Sequence, residues 1–137
     1  MGAGRSIMAL GAGVAVLAAC AEVAPGSEPA SRSVFKPEYL GIETRKLDSE
    51  IVSFVVRMSG ARGNQDIEDY GRCAAAQYAL IRGYGFARHL RTNVQERGGI
   101  WAADAVYTIS AALPDGLQTI DAEVAVEECA ENGIPTV

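Results

Sequence analysis

Asp66–Gly83 reads DIEDYGRCAAAQYALIRG, and the fold turns on what this stretch is. Ile67, Tyr70, Ala74, Tyr78 and Ile81 recur at spacings of three and four, the period of one face of an α-helix. Asp66 and Asp69 put carboxylates at the start, where backbone N–H groups lack partners. Gly83 supplies a residue that takes the left-handed conformation at the stop. The spacing predicts a helix over Ile67–Arg82 with one apolar face, and that face needs a sheet to cover.

Strands are found on both sides of it. Before the helix, Tyr39–Gly60 has a polar cluster at Leu47–Glu50 between two β-prone arms, which predicts a hairpin. In the second arm Val52, Phe54, Val56 and Met58 alternate onto one face, with Ser53 and Arg57 on the other. After the helix, Phe86, Leu90 and Val94 alternate with His89, Arg91, Asn93 and Gln95, the pattern of a strand whose second face is wet; Arg88 falls on the apolar side. Ala105–Leu113 reads as another strand, and Pro114 and Gly116 as the turn that follows it. Thr119–Glu127 reads as the last strand, with Ile120, Ala122, Val124 and Val126 inward against Asp121, Glu123 and Glu127. The expected fold is α+β: a four- to five-stranded, mostly antiparallel sheet with one α-helix packed on one face, in the order ββαβββ. A chain of 137 residues has room for one such core.

The amino-terminal end is of a different kind. MGAGRSIMALGAGVAVLAAC carries one basic residue, Arg5, before an apolar run too short to span a bilayer of about 30 Å. It reads as a signal peptide. Its last four residues, Leu17, Ala18, Ala19 and Cys20, resemble the bacterial lipobox: a branched residue, two small ones and a cysteine. That resemblance implies cleavage before Cys20 and acylation of its thiol, with each buried methylene adding about 0.8 kcal/mol to membrane attachment. Ala21, not Asp, follows the cysteine, and resemblance to the enterobacterial sorting rule implies the outer membrane rather than the inner. Ala21–Pro37, with Pro25, Gly26, Pro29 and Pro37 among small polar residues, reads as a flexible tether. The expected organisation is residues 1–19 as signal peptide, 20–37 as lipidated cysteine and tether, and 38–137 as one periplasmic domain.

With Cys20 committed to lipid, Cys73 and Cys129 remain as a pair in a compartment that favours oxidation. A disulfide is expected between them, pinning the carboxy-terminal segment onto the helix and adding about 4 kcal/mol in the chain-entropy view. The competing reading is an envelope enzyme or redox-active thiol protein using Cys73 or Cys129 with His89. Against it, the sequence has no Cys-x-x-Cys spacing.

Other chemistry is sparse. His89 is the single histidine, so no metal and no cofactor is expected, and a net charge of −5 disfavours nucleic acid. One local exception stands out in this acidic chain: Arg82, Arg88, His89, Arg91 and Arg97 lie close together, with Glu96 as the single acid among them. They form a candidate binding surface for anionic headgroups, wall carboxylates or an acidic partner. Alternatively they pair internally with Asp121, Glu123, Glu127 and Glu128.

From DYGRCAAAQYALIRGYGFARHLRT (Asp69–Thr92), the closing CAENGIPTV and the lipobox, the chain resembles a family of small alphaproteobacterial lipoproteins of uncharacterised function. The resemblance implies lipidation and a compact α+β domain, and brings no catalytic residues with it. The expected function is that of a membrane-anchored periplasmic module. It would be held by lipid on Cys20, and would bind another envelope protein or peptidoglycan without catalysis.

Overall fold

The computed structural model describes residues 34–116 and 118–137, together with Gly11 and Gly13. Cys20 and nearly all of the segments read as signal peptide and tether lie outside the described residues. The folded unit, Val34–Val137, contains β1 (Glu38–Lys46), β2 (Ile51–Ser59), α1 (Asn64–Ile81), β3 (Phe86–Arg97), β4 (Ile100–Ser110), β5 (Thr119–Asp121) and α2 (Ala122–Glu131). The strands form one antiparallel sheet in the order β1-β2-β4-β3-β5. The fold is α+β as expected, with two helices and the order ββαβββα.

The core forms where large side chains on β2 meet small ones elsewhere. Val52, Phe54, Val56 and Met58 are fully buried, and across the ladder Phe54 and Val56 face Ala105 and Ala103 of β4. Those alanines let α1 lie close to the sheet: a Cβ at Gly71 would come within 3.0 Å of the Ala105 Cβ. Ile67, Tyr70, Ala74, Ala75 and Ala79 fill the same interface. Ile81 lies on the predicted stripe but is 61% exposed, so the apolar face stops one turn before the helix does. Cys73 and Ala76 are also buried, on a flank outside that stripe, because α2 packs beside α1.

The ends of α1 differ from the expectation in detail. Gly63 occupies the cap position without a side-chain bond, and Asp66, in the first turn, reaches back to accept the Arg62 backbone N–H at 2.7 Å. At the other end Gly83 adopts φ 82° and the Tyr84 N–H returns to the Ala79 carbonyl at 2.8 Å, closing the helix as the sequence suggests.

The last predicted strand is a correction. Only Thr119–Asp121 is extended; Ala122–Glu131 is helical. Asp121 is the cap, its carboxylate accepting the N–H groups of Glu123 and Val124 at 3.1 and 3.2 Å. Ala122, Ala125 and Cys129, three and four residues apart, face inward, whereas Val124 is 52% exposed. The alternation of Ile120, Ala122, Val124 and Val126 was compatible with a strand, but the capping aspartate and the 3.6-residue period prevail.

A second correction concerns β3. Its pairing with β4 slips by one residue between His89 and Arg91, leaving Leu90 as the extra residue of a β-bulge. Such a slip reverses the facing of everything beyond it. Ala87 and His89 therefore face the helices, opposite Ile109 and Tyr107, and Leu90 is 41% exposed. Arg88, which the alternation placed on the apolar side, faces away from the helices instead, opposite Thr108.

Candidate functional site: two clefts along the first helix

Three of the five residues of the basic cluster share one face of the sheet, and two lie elsewhere. Arg82 caps the end of α1, and His89 lies under the helices. Arg88, Arg91 and Arg97 stand on the open face of the sheet, opposite Thr108, Val106 and Ile100. Arg91 is tied at 3.3 Å to Asp104, whose other carboxylate oxygen accepts the hydroxyl of the buried Ser53. Among the described residues no member of the cluster pairs with Asp121, Glu123, Glu127 or Glu128; Glu128 is taken by Arg72 at 3.0 Å.

The larger concavity, about 500 Å³, lies beside the N-terminal half of α1. Its base is the bonded pair Cys73 and Cys129, each 1% exposed, with Cα atoms 5.9 Å apart. One wall is aromatic. Phe35 lies under the Arg62 guanidinium, 3.8 Å from its ring centre, and Tyr39 meets Tyr70 edge-on at 4.7 Å. The opposite wall comes from α2 and the residues after it: Glu128, Asn132 and Ile134.

Two ion pairs flank this cleft, Arg62–Asp66 at 2.8 Å and Arg72–Glu128 at 3.0 Å. Hydrogen bonds from the Arg62 guanidinium and backbone outweigh the desolvation of Asp66 and hold its carboxyl below the usual range. Burial, with the nearby charge of Asp66 next, pushes the Tyr39 phenol up. The cleft thus offers both charge signs and an aromatic wall.

A smaller cleft, about 230 Å³, opens on the other side of the ridge formed by Asp69 and Arg72, which border both. His89 lies in its wall. Its Nδ1 meets the Gln118 Oε1 and its Nε2 the Thr92 Oγ1, each at 2.7 Å, and its ring tilts against Tyr107 at 5.1 Å. His89 and the disulfide therefore border different clefts, and the cysteines are bonded to each other. A thiol–histidine pair is not assembled. Among the described residues, no group of three or more His, Cys, Asp or Glu side chains is placed to hold a metal ion.

Sequence reasoning missed Arg62, Asp66, Arg72, Tyr107 and Glu128 as cleft residues. The Arg62–Asp66 pair was readable as an i, i+4 spacing, whereas Arg72–Glu128 exists only because α2 is a helix lying beside α1.

These features define a small α+β domain with one helix-covered sheet face, one open face and a disulfide between its helices. The chain belongs to the YNQ4 C-terminal domain family, which matches residues 39–133. It is similar, at 30% identity over 92 residues, to a Paracoccus denitrificans protein named as an uncharacterised 26.9 kDa protein in the nqo8 5′ region. That match spans 67% of this chain and 36% of the relative. No solved structure matches.

Proposed function

We propose that this chain is a lipid-anchored periplasmic interaction module, acylated on Cys20. Residues 21–33 tether the folded domain, Val34–Val137, which binds another envelope protein or cell-wall material. The observation that carries the reading is the buried Cys73–Cys129 bridge, because such bonds persist in oxidising compartments. The lipobox-like LAAC supports it independently. The contact site is the cleft built on that bridge: its volume suits a few residues of a peptide, and its ion pairs and aromatic wall provide polar and apolar partners at once.

A photo-crosslinking side chain placed at Asn132, on the cleft wall, tests the reading in living cells against one at Gln95, on the open sheet face. The reading requires a discrete envelope adduct from position 132 and none from position 95. Equal capture from both positions, or none from 132, contradicts the cleft as the contact site.

A further inference from the structure

We infer that the smaller cleft, between α1 and the β3–β4 pair, is a binding site for a primary ammonium group carried by a ligand of amino-acid size. The inference stands independently of where the chain is anchored and of what the larger cleft binds.

It starts from Tyr107. This side chain is 4% exposed, and its hydroxyl has no hydrogen-bond partner among the described residues. Yet no side-chain polar atom among them is both sealed from solvent and unpartnered. The phenolic oxygen therefore opens into the cleft it lines. Leaving a nearly buried hydroxyl without a protein partner is unfavourable unless water or a ligand answers it. Burial raises the phenol's pKa, so the group is neutral at physiological pH and serves as a donor or an acceptor.

The charges around that oxygen belong to Arg72, Glu68 and Asp69. Arg72 is answered by Glu128 at 3.0 Å. Glu68 and Asp69 have no cation within ion-pair distance among the described residues, and Asp69 accepts one neutral bond, from the Gln65 amide at 2.8 Å. His89 does not compete for a ligand. Both its ring nitrogens are occupied within the wall, where it fixes Gln118 and Thr92 and packs against the Tyr107 ring.

What remains for a ligand is two unpaired carboxylates and one neutral oxygen around a small space. An ammonium group has three N–H donors and one positive charge. It would give two charge-assisted bonds to Glu68 and Asp69 and a third to the Tyr107 oxygen. An anion is opposed by the same carboxylates. A space of about 230 Å³ takes one amino-acid-sized unit, not a polymer segment.

The test uses the full chain in detergent micelles. Nα-acetyl-lysine methylamide is titrated while the backbone amides of Glu68, Asp69, Tyr107 and Gln118 are followed by NMR, with Nα-acetyl-2-aminoheptanoic acid methylamide, in which a methyl replaces the ammonium, as neutral isostere. The expected result is a saturable shift with the amine and none with the isostere. Tyr107→Phe should weaken binding about threefold to tenfold, and Glu68→Gln combined with Asp69→Asn should abolish it. Tyr107→Phe removes one oxygen from a retained ring, so it keeps the test decisive even if the double variant does not fold. Equal shifts with both compounds, no saturation up to the solubility of the amine, or unchanged affinity in Tyr107→Phe would overturn the inference. Calcium displacing the amine from these same amides at lower concentration would overturn it too, in favour of a metal.

Discussion

The two helices of this domain are held by different chemistry. α1 runs for 18 residues over Val52, Phe54, Val56 and Met58, each fully buried and each contributing about 1.5–3 kcal/mol of burial. α2 has 10 residues and buries Ala122, Ala125 and Cys129, with Val126 and Ile134 at the margin. A helix that short is marginal by itself, and an alanine methyl adds only about 0.8 kcal/mol. The Asp121 cap and the bond to Cys73 do for α2 what apolar burial does for α1. Because α2 and the residues after it form one wall of the larger cleft, the shape of that cleft depends on a covalent bond, whereas the shape of the core does not.

The contrast is sharpest at Phe54, which packs edge-on against Tyr78 at 5.5 Å and Tyr107 at 6.2 Å. Phe54→Ala should lower the unfolding free energy by about 3–5 kcal/mol, read by urea denaturation, with both helices melting together. A loss under about 1 kcal/mol would mean that β2 does not organise the domain.

Removing the bridge, by Cys73→Ala with Cys129→Ala, should cost about 2–4 kcal/mol. Its signature is local: amide exchange should accelerate through Ala122–Glu131 and leave Ile51–Ser59 protected. If α2 exchanged no faster, the bridge would not be what holds it.

A smaller effect is expected at Asp121→Ala, about 1 kcal/mol, seen as a lower melting temperature. The loss should grow when the bridge is absent, since both act on one short helix. Strict additivity would break the idea that cap and bond share a task.

The smallest effect tests the α1 end, where no bond is needed. The hydrogen bonds from Arg62 hold the Asp66 carboxyl below its ordinary value, so the unfolded chain takes up that proton more readily. The contribution is present above about pH 4 and is lost as pH falls through the lowered folded value. Asp66→Asn should therefore be less stable than the parent near neutrality and equal to it in acid. A constant difference across that range would contradict the assignment.

What could be read in the sequence follows the same division. Val52, Phe54, Val56 and Met58, and then Ile67, Tyr70 and Ala74, are large or regularly spaced enough that only one secondary structure buries them together. Ala122, Val124 and Val126 are small and spaced by two beside acidic residues, so a strand and a helix explain them about equally. The deciding signals were Asp121 as a cap and the Ala122, Ala125, Cys129 spacing. The bulge at Leu90 has no compositional signature, and it alone moves His89 from the wet face to the helix side. The basic residues divide because neighbours along a strand alternate faces: Arg88, Arg91 and Arg97 share the open face, whereas His89 is turned to the helix side.

One measurement bears most directly on the proposed role: the intact mass of the protein taken from native membranes without reductant. The account predicts a chain that begins at a diacylglyceryl-modified Cys20 and lacks the two hydrogens lost when Cys73 and Cys129 join. A chain beginning at Met1, with no lipid and with both thiols carrying hydrogen, would contradict the anchor and the compartment together.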